Sequence, residues 1–330
     1  MRKAEYGKNR SIKYILVSVV AVLLIAAILL ALAVWDRQYG LFPEADKGGE
    51  VMKYKGTEYV LKDNVDTFLV LGLDKFEEAV ETDSYKNDQQ ADFLMLMVFD
   101  NDEKTYSSIH INRDTMAEIE VLGLSGSKVG TVTKQIALAH TYGKGGDISN
   151  INTAKAVSKL LYGIKVNHYM SLTLDSVAIM NDLVGGVEIE VLDDFSSIDE
   201  TLIKGEKVLL EGEKALTYVR TRKGLEDSTN TTRMNRQQQY LDALREKIEF
   251  CVGNDSEFIA KAAVKMADYM VTDCTSARLQ DIGKKMQEYE FVQINNIEGE
   301  SRMGEKYIEF YPDKDSLKQV VIDLFYVPKD

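Results

Sequence analysis

The sequence is poor in the residues that build disulfide scaffolds and zinc sites. Its 330 residues include only two cysteines and three histidines. Two cysteines do not supply the dense disulfide pattern of a small secreted module, and spacing alone leaves open whether Cys251 and Cys274 pair. Because His110, His140 and His168 are scattered and no HExxH motif occurs, we predict no zinc site of standard spacing. A metal in this protein is therefore expected to be a hard cation with oxygen ligands.

Two catalytic motifs and a disordered composition are also absent. No GxxxxGKS or GxxxxGKT loop for nucleotide phosphates occurs, and the segment from Gly123 to Ser127 lacks the final glycine of a GxSxG nucleophile elbow. The chain has three prolines and is 45% hydrophobic, which favours a globular fold over a disordered stalk. Its net charge of −13 argues against nucleic acid as a partner.

One long hydrophobic run occurs near the N-terminus. Residues 14–35 contain no charged side chain and exceed the roughly 20 residues that an apolar helix needs to span a bilayer. Five basic residues and one acid precede the run, so the positive-inside rule places residues 1–13 in the cytoplasm and the remainder outside the cell. The alternative is a cleavable signal peptide, whose apolar region is about 7–15 residues long. We expect a single-pass anchor.

After a juxtamembrane linker at residues 36–64, apolar runs predict buried strands with polar residues at their ends. Residues 67–73 and 93–99 are continuous apolar runs, typical of strands buried on both faces. Asp74 follows the first run, Asp92 precedes the second, and Arg113 follows a third, alternating strand. Strands then alternate with helical segments. The pattern predicts an α/β fold in which a mixed central sheet lies between layers of helices.

A group of arginines occurs later in this acidic chain. Arg220 and Arg222 share one side of an extended segment, and Arg233, Arg236 and Gln237 share one side of the next helix. Guanidinium groups bind phosphate oxygens bidentately, so one interpretation is a diphosphate site. The other is a solvated basic face that pairs with surplus acids. The nearby carboxylates favour the first, because phosphoryl transfer uses Mg²⁺ or Mn²⁺ on acids and positive charge around the phosphate.

Other polar residues have less specific interpretations. The adjacent acids Asp193 and Asp194 follow a strand and are interpreted as a turn rather than a catalytic pair. His140, near a glycine-rich loop, is interpreted as a packed core residue rather than a base. Asp114 is either a base, by its proximity in sequence, or a residue that orients Arg113.

Six motifs, taken in order, resemble the LytR-CpsA-Psr (LCP) family between about residues 65 and 248. In each case the residues stand where the family has a strand end, a strand entrance, a turn or a helix of similar sequence. The six are Leu71-Gly-Leu-Asp74, Ala91-Asp-Phe93, Arg113-Asp-Thr115, Val184-Gly-Gly-Val187, Gly212 through Arg222, and Arg233 through Gln238. The resemblance places a catalytic core at residues 65–250 and a C-terminal extension packed on it at residues 251–330.

The resemblance implies a metal-dependent phosphotransferase on the outer side of the membrane of a Gram-positive-type bacterium. Its donor would be a glycopolymer, such as teichoic acid or capsule, on a polyprenyl-pyrophosphate carrier, and its acceptor a peptidoglycan hydroxyl. A hydrophobic groove between sheet and helices would take the lipid tail. By position in the family motifs, Asp74 and Asp92 would hold Mg²⁺ or Mn²⁺ and act in catalysis with Arg113. The pyrophosphate would be bound by Arg113, Arg220, Arg222, Arg233, Arg236 and Gln237.

The chain departs from the family pattern at two positions near these motifs. Gln90 stands where the family has an arginine two residues before the second aspartate. Asn230 replaces an aspartate ahead of the arginine helix, with Asp227 as a stand-in. Two alternatives to a transferase therefore stay open. One is a polyprenyl-pyrophosphate hydrolase, and the other is a non-catalytic, lipid-binding regulatory module, which Gln90 slightly favours.

Overall fold

The computed structural model describes residues 51–75, 87–123, 126–221, 224–225 and 230–329, apart from the side chains of residues 230 and 231. All of them belong to one compact unit, residues 45–330. Within these ranges no helix is long and apolar enough to cross a membrane. The predicted cytoplasmic tail at residues 1–13 and the predicted anchor at residues 14–35 lie outside them.

A six-stranded mixed sheet forms the centre of the fold. The strands in chain order are β1 (Val51–Tyr54), β2 (Thr57–Leu61), β3 (Val65–Leu73), β4 (Ala91–Asp100), β5 (Thr105–Ile111), β6 (Met116–Leu122), β7 (Lys128–Gln135), β8 (His168–Leu172), β9 (Val187–Glu190), β10 (Lys207–Leu210), β11 (Met270–Thr272), β12 (Glu290–Asn296), β13 (Gly299–Met303), β14 (Ile308–Pro312) and β15 (Tyr326–Pro328). The central sheet has the order β11-β8-β3-β4-β5-β12. The β3–β8 and β5–β12 pairs are parallel and the others antiparallel.

Helices cover both faces of this sheet. They are α1 (Gly146–Leu160), α2 (Asp175–Leu183), α3 (Glu213–Arg220), α4 (Asn230–Asn254), α5 (Phe258–Met266), α6 (Ser276–Glu288) and α7 (Lys314–Phe325), with 3-10 helices at Ile136–Thr141 and Ala267–Tyr269. Leu69 and Leu71 of β3 pack into one core with residues of α1 and α7. Phe68, on the opposite face, packs against α6. Alternate strand residues thus bury both faces, and the predicted mixed α/β fold is confirmed.

Side-chain caps fix the starts of two helices on opposite faces. The Thr275 hydroxyl accepts a hydrogen bond from the Arg278 N–H at the start of α6. The Asp313 carboxylate accepts one from the Ser316 N–H at the start of α7. Each cap satisfies a backbone donor that has no partner within its helix, and such caps typically contribute about 1 kcal/mol.

The first and last parts of the described region, residues 51–61 and 251–329, belong more closely to the core than the predicted domain boundaries imply. Residues 51–61, assigned to the linker from sequence, form β1 and β2, and β2 also pairs with β15 near the C-terminus. The boundary at residues 250/251 falls inside α4, and the C-terminal region supplies β11 and β12, the two edge strands of the central sheet. Residues 251–330 are therefore part of the sheet as well as a covering layer.

Candidate active site

A β-bulge in the central sheet contains Asp92, one of the two predicted metal ligands. The register of the β3–β4 pair shifts between Gly72 and Leu73, opposite Asp92. A Cβ on Gly72 would lie 3.0 Å from the Phe93 Cβ, so this close approach favours glycine. Such bulges bend a strand and redirect a side chain. Asp92 lies near the start of β4, and Asp74 directly follows β3. Because these two strands are antiparallel, both residues lie at the same end of the strand pair.

Three of the predicted arginines lie beside these two carboxylates. Arg220 Nη2 is 3.3 Å from Asp74 Oδ1, and both side chains are about half exposed, at 47% and 46%. Deeper in the site, Arg113 donates a short hydrogen bond to Asp92, and Arg233 Nη1 is 3.7 Å from the other oxygen of the same carboxylate. The site therefore has an open outer pair and a more buried inner group, and it brings together five residues that the sequence placed in one site.

Arg113 is held on three sides by polar partners. Its Nη2 donates to Gln90 Oε1 at 2.6 Å, and its Nε lies 3.5 Å from Asp114 Oδ1. Asp114 is 5% exposed and accepts a hydrogen bond from Gln135 Nε2 at 2.9 Å. These contacts favour the orienting role for Asp114 over a base. They also give Gln90 a function, because a carboxamide accepts from Arg113 where a second guanidinium would repel it.

Arg236 differs from the prediction, because it lies in the core rather than beside the other residues predicted to bind phosphate. It is 0% exposed, and its Nε is 3.0 Å from Asp193 Oδ2. Its guanidinium donates to the Tyr218 carbonyl at 3.1 Å and to the Thr221 carbonyl, and lies 5.0 Å from the Phe195 ring centre. Arg236 therefore joins α4 to the end of α3 and to the loop after β9, a structural position.

The remaining predicted residues have separate outcomes. Arg220 is the last residue of α3, instead of lying in an extended segment. Arg222 lies outside the described residues, as does Asp227. Gln237 lines the cavity described next and donates through Nε2 to the Val219 carbonyl at 3.2 Å. The Asp194 carboxylate accepts from the Ser196 N–H at 2.9 Å, as expected of a turn.

A cavity of about 360 Å³ extends from this site along the face of the central sheet on which Phe68 packs against α6. Asp74, Asp92, Arg220 and Arg233 line one end, and Phe68 lines the other. Phe68 is six residues before Asp74 in the same strand, which is about 20 Å of extended chain. Between the two ends the lining is almost wholly apolar and includes Val70, Met95, Met97, Met170, Leu172, Met180, Leu241, Leu244 and Ile248. The cavity thus changes from charged to hydrophobic along its length.

A polar group at the far end of the cavity was not predicted. Tyr106 donates to Glu249 Oε1 at 2.6 Å, and Arg245 Nη1 donates to the same oxygen at 2.8 Å. The Arg245 guanidinium lies 4.1 Å from the Phe291 ring centre. Helical spacing could have predicted that Arg245 lines the cavity. Gln237, Leu241 and Arg245 follow Arg233 at intervals of four residues, so they share one side of α4, and all four line the cavity.

Two buried histidines lie near the site in neutral form. Burial, and then the charge of Arg233, lower the pKa of His110 to about 4. Burial lowers the pKa of His140 to about 4 as well, and its Nδ1 is 2.9 Å from the Gln89 carbonyl oxygen. His140 is thus a packed residue, as interpreted from sequence.

Asp74 and Asp92 fit Mg²⁺ or Mn²⁺ in the type of donor that they offer. Mg²⁺ is commonly bound by one or two carboxylates, together with water and substrate phosphates. The two carboxylates supply only oxygen ligands, and both of them line the cavity. Within the described ranges, the one group of three potential metal-ligating side chains lies elsewhere, at His168, Asp273 and Cys274.

The fold and the site together define an α/β domain that suits an amphipathic phosphate ester, with arginines at the mouth of an apolar cavity. Comparison with known families agrees with this class. The chain belongs to the LytR_cpsA_psr family, whose model matches residues 44–324.

Curated relatives and a solved structure are similar to the chain at low identity. Two relatives are named polyisoprenyl-teichoic acid–peptidoglycan teichoic acid transferase TagU. The one from Halalkalibacterium halodurans is 27% identical over 54% of this chain and 51% of its own length, and the one from Enterococcus faecalis is 25% identical over 73% of each. The chain therefore spans about half the length of the first relative. A structure of TagT bound to LI-WTA has a TM-score of 0.59, at 20% identity over 79% of this chain and 90% of that one.

Proposed function

We propose that this protein transfers a cell-wall glycopolymer from a polyprenyl-pyrophosphate carrier to a hydroxyl group of peptidoglycan. The observation that carries the proposal is the continuous lining of one cavity, from arginines and carboxylates at the mouth to methionine and leucine side chains inside. A carrier lipid has the same two chemistries in the same order, a diphosphate joined to an apolar tail. The names of the TagU relatives support teichoic acid as the class of polymer.

The arginines would bind the diphosphate and stabilise charge during transfer. Arg220, at the half-exposed mouth, and Arg233, at the inner end of the site, lie beside different carboxylates and would contact different phosphates. Arg113 would position Asp92, since Gln90 and Asp114 fix its guanidinium. In the reaction the acceptor hydroxyl loses its proton to solvent, and its oxygen bonds to the phosphorus on the polymer side. The bond from that phosphorus to the bridging oxygen breaks, and polyprenyl monophosphate leaves with the bonding electrons.

Asp74 and Asp92 are the residues that would hold Mg²⁺ or Mn²⁺. When bound, such an ion supplies positive charge to the phosphate oxygens. The carboxylates themselves keep the flanking arginines in place, because both acids form ion pairs with them. A cation and these arginines together offset the negative charge that the two acids and the diphosphate bring to one site.

We also propose that residues 14–35 anchor the protein in the cell membrane with the folded domain outside. This arrangement would bring the cavity to a carrier whose tail resides in the bilayer. Its test is the labelling of single cysteines, introduced after Cys251 and Cys274 are replaced by serine, in intact cells by a membrane-impermeant maleimide. The expected result is labelling of a cysteine at an exposed position such as Lys306→Cys, and protection of one at Lys8→Cys until the membrane is opened.

The transfer reaction is tested with the full chain in detergent or nanodiscs. The mixture contains a polyprenyl-pyrophosphate oligosaccharide, Mg²⁺ or Mn²⁺, and peptidoglycan fragments. Wild type is compared with Asp92→Ala and Arg220→Ala, and Arg302→Ala is the matched control, because Arg302 is exposed and pairs with Glu300 away from the cavity lining. We expect metal-dependent attachment of sugar phosphate with wild type and the control, and its loss in the two site variants.

Two other outcomes correspond to the alternative functions. Release of the carrier without attachment to peptidoglycan would replace the transferase by a hydrolase. Tight binding of the carrier without any turnover, with either metal, would replace it by a lipid-binding regulatory module. Either result contradicts the proposed transfer.

A further inference from the structure

Three potential metal-ligating side chains of different kinds converge at one edge of the central sheet. His168 begins β8, and Asp273 and Cys274 follow β11. One ligand atom from each, a nitrogen, an oxygen and a sulfur, all lie within 4.8 Å of one another. His168 and Asp273 are 105 residues apart in sequence, so the group has none of the standard spacings of a zinc site.

The distances between the ligand atoms are close to those around a tetrahedral metal ion. His168 Nδ1 is 3.1 Å from Asp273 Oδ2, and Cys274 Sγ is 3.7 Å from Asp273 Oδ1. Bond lengths of about 2.0–2.3 Å to zinc give separations of roughly 3.3–3.6 Å between neighbouring ligands of a tetrahedron. These two contacts use different oxygens of Asp273, and the three ligand atoms lie within 4.8 Å of one another, so a metal ion would draw the side chains closer together.

Backbone contacts hold two of the three ligands in place. The Tyr169 N–H donates to Asp273 Oδ1 at 3.0 Å. The Thr272 hydroxyl donates to the Tyr169 carbonyl at 2.6 Å and accepts from the Cys274 N–H at 3.2 Å. Contacts of this kind orient the ligands of metal sites and reduce the ordering that binding requires.

The group is open to solvent and distant from the candidate active site. The side chains of His168 and Asp273 are 28% and 19% exposed, which leaves room for a water molecule as a fourth ligand. His168 pairs with Phe68 across β3 and β8, at the end of the sheet opposite Asp74. Six residues of β3 separate the two places, about 20 Å. The group is thus independent of the proposed phosphoryl transfer.

Other interpretations of the cysteine fit less well. Cys251 and Cys274 are both free, so the pairing that the sequence left open is not formed in this structure.

We propose that His168, Asp273 and Cys274 bind a zinc ion that joins the segment after β11 to β8. A mixed set of imidazole, thiolate and carboxylate ligands favours Zn²⁺ over Mg²⁺ or Ca²⁺, which prefer oxygen alone. The strand β11 has three residues and lies at the sheet edge, so a metal bond across it would stabilise the attachment of the C-terminal region. Because the ion binds the folded chain, it raises the unfolding temperature.

The test measures binding of the metal itself to the full chain, purified without a histidine tag and stripped of metal. Zn²⁺ is titrated in competition with a chromophoric chelator, and Co²⁺ is added separately as a spectroscopic probe. Cys274→Ser and His168→Asn each remove one ligand, and Cys251→Ser is the matched control because it removes the other free cysteine. We expect one Zn²⁺ per wild-type chain, at least tenfold weaker binding in both ligand variants, and no change in the control.

Two further readouts keep the proposal testable if a ligand variant folds poorly. In wild type and Cys251→Ser, Co²⁺ should produce a thiolate-to-cobalt charge-transfer band in the near ultraviolet, and Zn²⁺ should raise the unfolding temperature. The proposal would be overturned if the band were absent or if the wild-type chain took no Zn²⁺ from the chelator. Equal binding of Zn²⁺ by wild type and both ligand variants would overturn it too. Loss of binding in Cys251→Ser would overturn it as well, since that cysteine is not among the three ligands.

Discussion

Arg233 and Arg236 lie one turn apart on α4, yet they belong to different regions of the molecule. The Arg233 side chain lines the cavity and approaches Asp92, which two arginines share. Arg236 is enclosed by the Phe195 and Tyr218 rings and has its own carboxylate, Asp193, and two carbonyl partners. Both regions contain arginine and aspartate, but only the first faces a space that a ligand can enter.

The difference shows how partners assign a role to a charged residue. A buried guanidinium must have its donors satisfied, because removing a charge from water costs several kcal/mol. Around Arg236 the protein supplies those partners itself. Arg220 pairs with Asp74 at the half-exposed mouth, and Arg233 approaches Asp92 deeper in the same cavity, where an anionic ligand can add its own contacts. The substitutions below are ordered from the largest expected effect to the smallest.

Removing Arg236 should have the largest effect, and the effect should be on stability. Arg236→Ala removes a fully buried guanidinium, leaves the partly buried Asp193 without its cation and frees two carbonyl groups, so we expect the free energy of unfolding to fall by about 3–5 kcal/mol. Urea denaturation followed by circular dichroism measures the change, with Arg302→Ala as an exposed control. An Arg236→Ala variant that is as stable as wild type but unable to bind the carrier would contradict the structural role. Arg236 would then be a carrier-binding residue.

Arg220→Ala should have the opposite profile. Its ion pair with Asp74 is about half exposed, so the free energy of unfolding should change by about 1 kcal/mol or less. Loss of a group that stabilises the transferring phosphate should lower kcat/KM for transfer by about 10²–10³-fold. Steady-state kinetics and urea denaturation on the same preparation separate the two effects. If Arg220→Ala lost stability to the same extent as activity, Arg220 would have a structural role like that of Arg236.

The apolar part of the cavity can be tested separately from its mouth. Met170→Glu places a carboxylate among apolar side chains, and a buried charge without a partner is costly. We expect the affinity for a polyprenyl pyrophosphate to fall at least tenfold, which is about 1.4 kcal/mol. The affinity for inorganic pyrophosphate should stay unchanged. Calorimetry with both ligands measures this. Equal weakening for the two would show that the tail does not occupy this part of the cavity.

The smallest effect concerns His110, which lies close enough to Arg233 to experience its charge. The folded pKa of about 4 is below the unfolded value of about 6.5, so the unfolded chain takes up the proton first as pH falls. Stability from this residue is therefore complete above about pH 6.5 and decreases toward pH 4. Between pH 6.5 and 5.5 the loss should be about 1 kcal/mol. Denaturation at both pH values should show a smaller loss in His110→Gln; an identical loss would contradict a neutral, buried His110.

Much of the candidate site was predictable from local patterns. The runs at residues 67–73 and 93–99 are so apolar that only buried strands accommodate them, and their ends fix where Asp74 and Asp92 lie. Arg113 follows a strand in which every residue after Thr105 is buried. Neighbouring strands in one sheet brought these three residues together.

The separate roles of Arg233 and Arg236 were not predictable in this way. Residues three apart on a helix share a side, and the spacing places both arginines there. The decision depends on Phe195, Tyr218 and Asp193, which approach α4 from distant parts of the sequence. The strand β11, and the places of β11 and β12 at the edges of the central sheet, were not predicted for a similar reason. β11 and β12 are short or polar, and their places in the sheet come from pairing with β8 and β5.

The central claim is tested most directly by following one phosphorus atom through a single turnover. A carrier-linked oligosaccharide carries radioactive phosphorus only in the phosphate next to the sugar, and the full chain is in excess with metal and peptidoglycan fragments. We predict that the label becomes covalently attached to the peptidoglycan fragment while unlabelled polyprenyl monophosphate is released at the same rate. Label that ends in a free oligosaccharide phosphate, or that stays on the carrier, would contradict the account.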